Sequence, residues 1–333
     1  MKKFTLISIL FFLFVQINYS QNVDKLKAEK YIANKEELTF TFKVKDPSEL
    51  NNFTKKLSIV NFNPKTNTVT AWANKKQFRE FESLKIPFKV PKSENEVDEA
   101  YIYDNPASKS KNTISSKGAL ANTLSFPVSN YPTYAEYAQQ MQDFENSYPT
   151  LVEKISLGNT GENDGKELLF VKISDNVGTD EQEPKLMLTS SMHGDEIAGY
   201  PMMLSLIDYI LTVYADTGHP DHTRIKNLVE NAEIWINPSA NPDGTYYGSA
   251  NNTIVTGARR ANNNVVDLNR NYPDNVAGPH DDGNAYQTET IAFMALADAQ
   301  HFVISANFHG GIELFNYPFD NAYVNQYTHP DGN

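Results

Sequence analysis

From Tyr131 onward, short apolar runs alternate with amphipathic stretches, and this alternation limits the possible folds more than any other feature of the chain. Strands are expected at 151–156, 167–174, 185–190, 232–236 and 302–307, and helices at 133–147, 196–214 and 288–299. Strands interleaved with helices build crossover units. The expectation is therefore an α/β domain with a mixed, largely parallel sheet and helices on both faces. Such sheets place their ligands beyond the carboxyl ends of the strands.

Two of those strand ends carry titratable groups. The run Lys185–Thr189 stops shortly before His193-Gly194-Asp195-Glu196, and the run Phe302–Ala306 stops at His309-Gly310-Gly311. His193 and Glu196, three residues apart across a turn, can converge on one point, and Gly194 lets the backbone turn tightly between them. His309 offers a third ligand from the second strand end. Two His and one Glu form a ligand set for catalytic zinc that leaves a position open for water. Cysteine is absent, so a metal has to be held by His, Asp or Glu.

The segment Val265–Asp274, VVDLNRNYPD, packs an acid, amides and Arg270 into one loop. A guanidinium there suits bidentate capture of a carboxylate. Asp267 could instead receive a hydrogen bond from a ligating histidine and fix its tautomer. His219, His222, His280, His301 and His329 read as ordinary polar groups. Asn241-Pro-Asp-Gly244 reads as a turn without chemistry.

Ahead of this region, residues 21–92 mix period-two and helical patterns. A strand is expected near Leu38–Val44, a helix from Asp46, a strand pair within Ile59–Ala73, a helix at Lys75–Leu84 and an extended segment at Ile86–Val90. That is a small α+β domain, and both a propeptide and a permanent accessory domain fit it. Residues 93–122, rich in Ser, Lys and Asn, read as a linker to a domain over 123–333. Lys2-Lys3 followed by the apolar run Phe4–Val15 reads as a secretory signal peptide over residues 1–20. The run is shorter than the roughly 20 residues a bilayer requires, so no membrane span is expected in the mature chain. With 29 basic against 41 acidic residues the net charge is -12, which argues against a nucleic-acid partner.

The motifs His193-Gly-Asp-Glu196, Asn241-Pro-Asp-Gly244, Asp267-Leu-Asn-Arg-Asn271 and His309-Gly-Gly resemble, in the same order, those of the M14 zinc metallocarboxypeptidases. Residues 286–320 are especially similar to the regulatory branch that includes carboxypeptidases D, E, M and N. The resemblance runs from about Tyr131 to the chain end and does not cover residues 21–122. It implies one Zn2+ held by His193, Glu196 and His309, with Asp267 behind His193. It makes Arg260 the arginine that polarises the scissile carbonyl, with Arg259 as its fallback. Asn269 and Arg270 match the pair that grips a substrate's terminal carboxylate, and Asp320 the pocket acid that selects Lys or Arg. The implied function is a secreted, periplasmic or cell-surface carboxypeptidase acting on peptide or protein C-termini. A cell-wall peptide hydrolase, an amidase and a non-catalytic peptide-binding module are the alternatives. In the family the general-base glutamate and a substrate-capping tyrosine follow later in the chain than Asn333, and neither Glu289 nor Glu313 stands in the base's context. The 333-residue chain is therefore expected to be incomplete at its C-terminus and, alone, to bind zinc but turn over poorly, because general bases contribute about 10²–10⁴-fold.

Overall fold

The computed structural model describes residues 23–54, 56–96, 123–128, 130–161, 166–273, 283–311 and 315–316, which fall into two units divided between Val97 and Asp98. Residues 1–20, read as a signal peptide, most of the stretch read as a linker, Asp320, Glu313, His280 and His329 lie outside the described residues.

The first unit opens with a helix over residues 23–35 (α1), which the sequence reading missed. It continues with β1 (Glu37–Lys43), α2 (Leu50–Thr54), β2 (Ser58–Asn63), β3 (Thr68–Asn74), α3 (Lys75–Ser83) and β4 (Phe88–Lys89). The strands pair antiparallel in the order β2-β3-β1-β4. Alternation on β1 turns Phe40 and Phe42 into a core of aromatic rings with Phe78 and Phe81 of α3. Asn74 and Gln77 close α3 with a reciprocal capping box. Residues 93–96 pack on this unit, because the Asn95 carboxamide bonds both backbone groups of Thr39.

The second unit holds α4 (Tyr134–Ser147), β5 (Val152–Asn159), β6 (Glu167–Ile173), β7 (Lys185–Ser190), α5 (Gly199–Ala215), α6 (His222–Val229), β8 (Glu233–Asn237), the one-turn α7 (Pro242–Thr245), α8 (Thr288–Gln300) and β9 (Ile304–Phe308). Its five strands run in the order β5-β6-β8-β7-β9. The sheet is mixed, as expected. Among the described residues, parallel pairing joins β7 to its neighbours β8 and β9, whereas β5–β6 and β6–β8 are antiparallel. The parallel share is thus smaller than a strict strand–helix alternation implies, because β5 and β6 follow one another without an intervening helix and can close as a hairpin.

β6 is buried on both sides. Leu168 and Phe170 meet Phe293 and Leu296 of α8 on one face. Leu169 and Val171 alternate to the other, which α4 and α5 cover through Tyr137, Tyr200 and Met203. Among the described residues, no helix is long and apolar enough to cross a membrane.

Candidate metal centre and active site

The parallel register of β7, β8 and β9 brings their carboxyl ends to one edge of the sheet. Thr189 pairs with Asn237 of β8 and with Asn307 of β9, so the loops that follow leave side by side. α5 begins at Gly199 and not at Glu196 as the apolar pattern suggested. Between them the chain forms a tight turn in which the Glu196 amide donates to the His193 carbonyl at 3.1 Å. That turn folds the Glu196 carboxylate back onto the His193 ring.

Three side chains expected to share a metal do meet. His193 Nδ1 lies 2.8 Å from Glu196 Oε1, His309 Nδ1 lies 2.8 Å from Glu196 Oε2, and the two Nδ1 atoms are 3.1 Å apart. These groups are close enough to hold one ion together. Tetrahedral ligands about 2.0–2.1 Å from zinc are separated from one another by about 3.3 Å, so the donor set has the right size as well as the right chemistry. Charge points the same way: Glu196 and Asp267 share the Arg260 cation, and with neutral imidazoles these three groups sum to one negative charge, which a dication offsets.

Asp267 anchors the cluster from behind. One of its oxygens accepts from His193 Nε2 at 3.0 Å and from the Asn269 amide at 2.9 Å, and the other accepts from Arg260 Nε at 3.0 Å. Burial works against its charge, yet Arg260 and His193 hold its carboxyl well below the usual carboxylate range. Glu196 behaves alike: burial opposes ionisation, and His193, His309 and Arg260 outweigh it. Arg260 also reaches Glu196 with Nη1 at 3.3 Å and is only 7% exposed. Its neighbour Arg259 points elsewhere, donating to the carbonyls of Asn262 and Asn263 and stacking 3.9 Å from the Tyr247 ring. Geometry therefore favours Arg260 over its fallback.

Asn269 is exposed beside the cluster, with Nδ2 3.4 Å from His309 Nε2, and Arg270 is half-buried with Nη1 donating to the Asn269 carbonyl. Glu289 is not at the centre; it is buried under the Arg260 loop, where it accepts from Asn262 Nδ2. His219 accepts from the Asp221 amide, His222 lies 3.1 Å from the Val213 carbonyl oxygen, and His301 ends α8 in a left-handed conformation, so each has a local structural task.

Two residues escaped the sequence reading. Asn307 Nδ2 lies 2.9 Å from His309 Nε2 while its Oδ1 accepts from Thr189, so its carboxamide packs against the outer edge of the imidazole. A signal existed, since residues two apart on a strand share a face. Asn241, treated as part of a plain turn, is fully buried against the loop of His193.

The M14 peptidase family model, described as zinc carboxypeptidase, matches residues 137–331. Human carboxypeptidase D is 38% identical over 181 residues, covering 54% of this chain and 12% of the relative, and the rat carboxypeptidase N catalytic chain is 29% identical over 216 residues, covering 59% and 46%. The chain thus spans less than half the length of either relative. The crystal structure of a carboxypeptidase A from Helicoverpa armigera shares the fold with a TM-score of 0.53 at 18% identity, covering 83% of this chain and 70% of that one. Together with the His-Glu-His cluster at the sheet edge, the match over more than half of the sequence shows that this chain belongs to the M14 zinc carboxypeptidase family.

Proposed function

We propose that the protein is a secreted zinc metallocarboxypeptidase that hydrolyses the C-terminal peptide bond and prefers C-terminal Lys or Arg. One observation carries this reading: His193, Glu196 and His309 meet around a single point with the Arg260 guanidinium against the same carboxylate. Zinc bound there supplies a water acidified toward neutral pH and a Lewis acid for the scissile carbonyl.

Residues of this chain take the charge-stabilising and substrate-gripping roles. Arg260, fixed by Asp267 and Glu196, puts positive charge where an oxyanion develops, an interaction that strengthens only as the reaction proceeds. Asn269 and Arg270 take the free terminal carboxylate, which restricts cleavage to the last bond. Asp320 pairs with the terminal ammonium or guanidinium; against a neutral side chain that acid would be left without a partner. The apolar run Phe4–Val15 directs export, and the domain that begins at residue 21 takes in residues 93–96 and precedes a linker that ends at 122.

The test compares hydrolysis of peptides ending in Lys, Arg, Leu and Phe by the secreted protein. Chelation should abolish turnover and added zinc restore it; activity that survives chelation rejects the metal reading. Asp320→Ala should depress cleavage after Lys and Arg far more than after Leu and Phe, and equal loss rejects the pocket role. Peptide binding without any turnover would leave a binding module in place of an enzyme.

A further inference from the structure

Asn241-Pro-Asp-Gly244 has no part in that reaction, yet it sits at the carboxyl end of β8 between the loops that do. The Asn241 side chain is fully buried and uses both ends of its carboxamide. Oδ1 accepts from the Gly244 amide at 2.9 Å, capping α7. Nδ2 donates to two carbonyls at once, that of Met192 at 3.1 Å and that of Arg260 at 3.2 Å. Met192 immediately precedes the first imidazole ligand, and Arg260 carries the guanidinium.

Two backbone bonds complete the junction: the Gly194 amide donates to the Arg260 carbonyl at 3.1 Å, and the Arg259 amide to the Gly244 carbonyl at 3.0 Å. The three segments have no slack. A Cβ on Gly194 would fall 2.3 Å from the Gly244 carbonyl carbon and 2.6 Å from the Arg259 oxygen, and one on Gly244 would fall 2.6 Å from the Ala261 oxygen. Asp243, in the same turn, is tied elsewhere, to Lys166 at 3.2 Å and Thr160 at 2.9 Å.

We infer that Asn241 is a positioning residue whose carboxamide sets the separation of the His193 imidazole from the Arg260 guanidinium, and so governs both zinc retention and the placement of the charge that meets the oxyanion. The inference rests on the zinc carboxypeptidase reading. A helix cap alone needs only a side-chain acceptor, and serine caps about as well as asparagine. The double donation is what a cap does not need. Without it, the Met192 and Arg260 carbonyls lose the NH2 group that joins them, and the Gly194 amide is left to tie the Arg260 carbonyl to the His193 loop. Metal–ligand distances in well-formed sites stay within about 0.2 Å of their usual values, so a small shift of one ligand weakens the site.

The experiment uses the full chain and compares Asn241→Ser, which keeps a cap acceptor and removes the double donor, with Asp243→Asn, which weakens the buried ion pair in the same turn and leaves the junction intact. Zinc affinity is read by competition with a chromophoric chelator, alongside kcat and KM on a peptide ending in Arg. Asn241→Ser should lower zinc affinity about 10–100-fold, the range for partners that orient metal ligands, and lower kcat with little change in KM. Asp243→Asn should lower the melting temperature and leave zinc affinity within twofold of the parent. Unchanged zinc affinity in Asn241→Ser, or an equal loss in Asp243→Asn, overturns the inference. If the serine variant does not fold, Asn241→Gln, which keeps the amide but displaces it, is judged by the same outcomes. Failure of the parent to bind zinc rejects the metal reading instead. The junction is then judged by hydrogen exchange at the Gly194 amide, where exchange no faster in Asn241→Ser than in Asp243→Asn overturns it.

Discussion

Asp267→Asn tests the centre most directly, because it changes one atom without changing volume. The native carboxylate accepts three hydrogen bonds, from His193 Nε2, the Asn269 amide and Arg260 Nε. An asparagine keeps the first two if its oxygen faces them, and then presents its NH2 to Arg260, donor against donor. Turned the other way, it keeps Arg260 and loses the other two. The first orientation costs less, and it still removes one charge-assisted bond, worth about 1.5–3 kcal/mol. It also takes from the Arg260 guanidinium the anion that holds its Nε, while the contact with Glu196 stays. Breaking one side of a buried ion pair costs about 3–5 kcal/mol, so the metal-free protein should lose about 3 kcal/mol in urea unfolding. His193 would also lose its anionic partner, and zinc affinity should fall about 10–100-fold in chelator competition. A variant that unfolds at the parent's urea midpoint and holds zinc within twofold of the parent would refute the account of Asp267 as the anchor.

The other expected outcomes are simpler. Glu196→Gln removes a ligand as well as the charge that joins both imidazoles and accepts the Gly310 amide, so zinc affinity by calorimetry should fall by more than about 100-fold. Asp208 of α5 has its carboxyl pushed up to about 6 by burial, above the unfolded value, so the folded state holds the proton longer and stability falls as pH rises from about 4 to 6. Asp208→Asn should remove that slope and stabilise the protein at pH 7 by about 1 kcal/mol after allowance for solvent screening at a partly exposed site, checked by melting curves across pH. Phe293→Ala empties the contact between α8 and Phe170, ring centroids 5.6 Å apart, and should cost about 3 kcal/mol in unfolding free energy.

The strands and the meeting of His193, Glu196 and His309 were legible in the sequence because all three stand shortly after an apolar run, and a strand end at the carboxyl edge of a sheet is where α/β folds put chemistry. The start of α5 was less legible. The apolar periodicity of Ile197 and Tyr200 extends past the true helix end, and only the bond from the Glu196 amide to the His193 carbonyl marks the turn. The missed helix over 23–35 is charged along much of its length, with Ala28, Tyr31 and Ile32 as its few buried apolar contacts. Asn241 was hidden for another reason: Pro and Gly beside it account for a turn by themselves, and nothing in a linear sequence reveals that its amide reaches two carbonyls from other segments.

Pairing direction decides whether such a centre can exist at all. His193 and His309 stand 116 residues apart, and they meet because β7 and β9 run parallel in a register that aligns Ser190 with Phe308. Had those strands paired antiparallel, the same residues would leave opposite edges of the sheet, and no loop rearrangement of three or four residues could close a gap of about 17 Å, the length of a five-residue strand. β8 joins the same edge by pairing parallel to β7, which delivers Asn241 between the two loops. The antiparallel half of the sheet, β5 and β6, contributes none of the three ligands; β6 supplies the buried apolar surface against which α8 packs on one side and α4 on the other. The sheet thus divides its labour by strand direction. Core substitutions such as Phe293→Ala should therefore lower stability while leaving zinc affinity in the folded protein nearly unchanged, whereas substitutions at Asp267 and Asn241 should lower zinc affinity even where the fold survives.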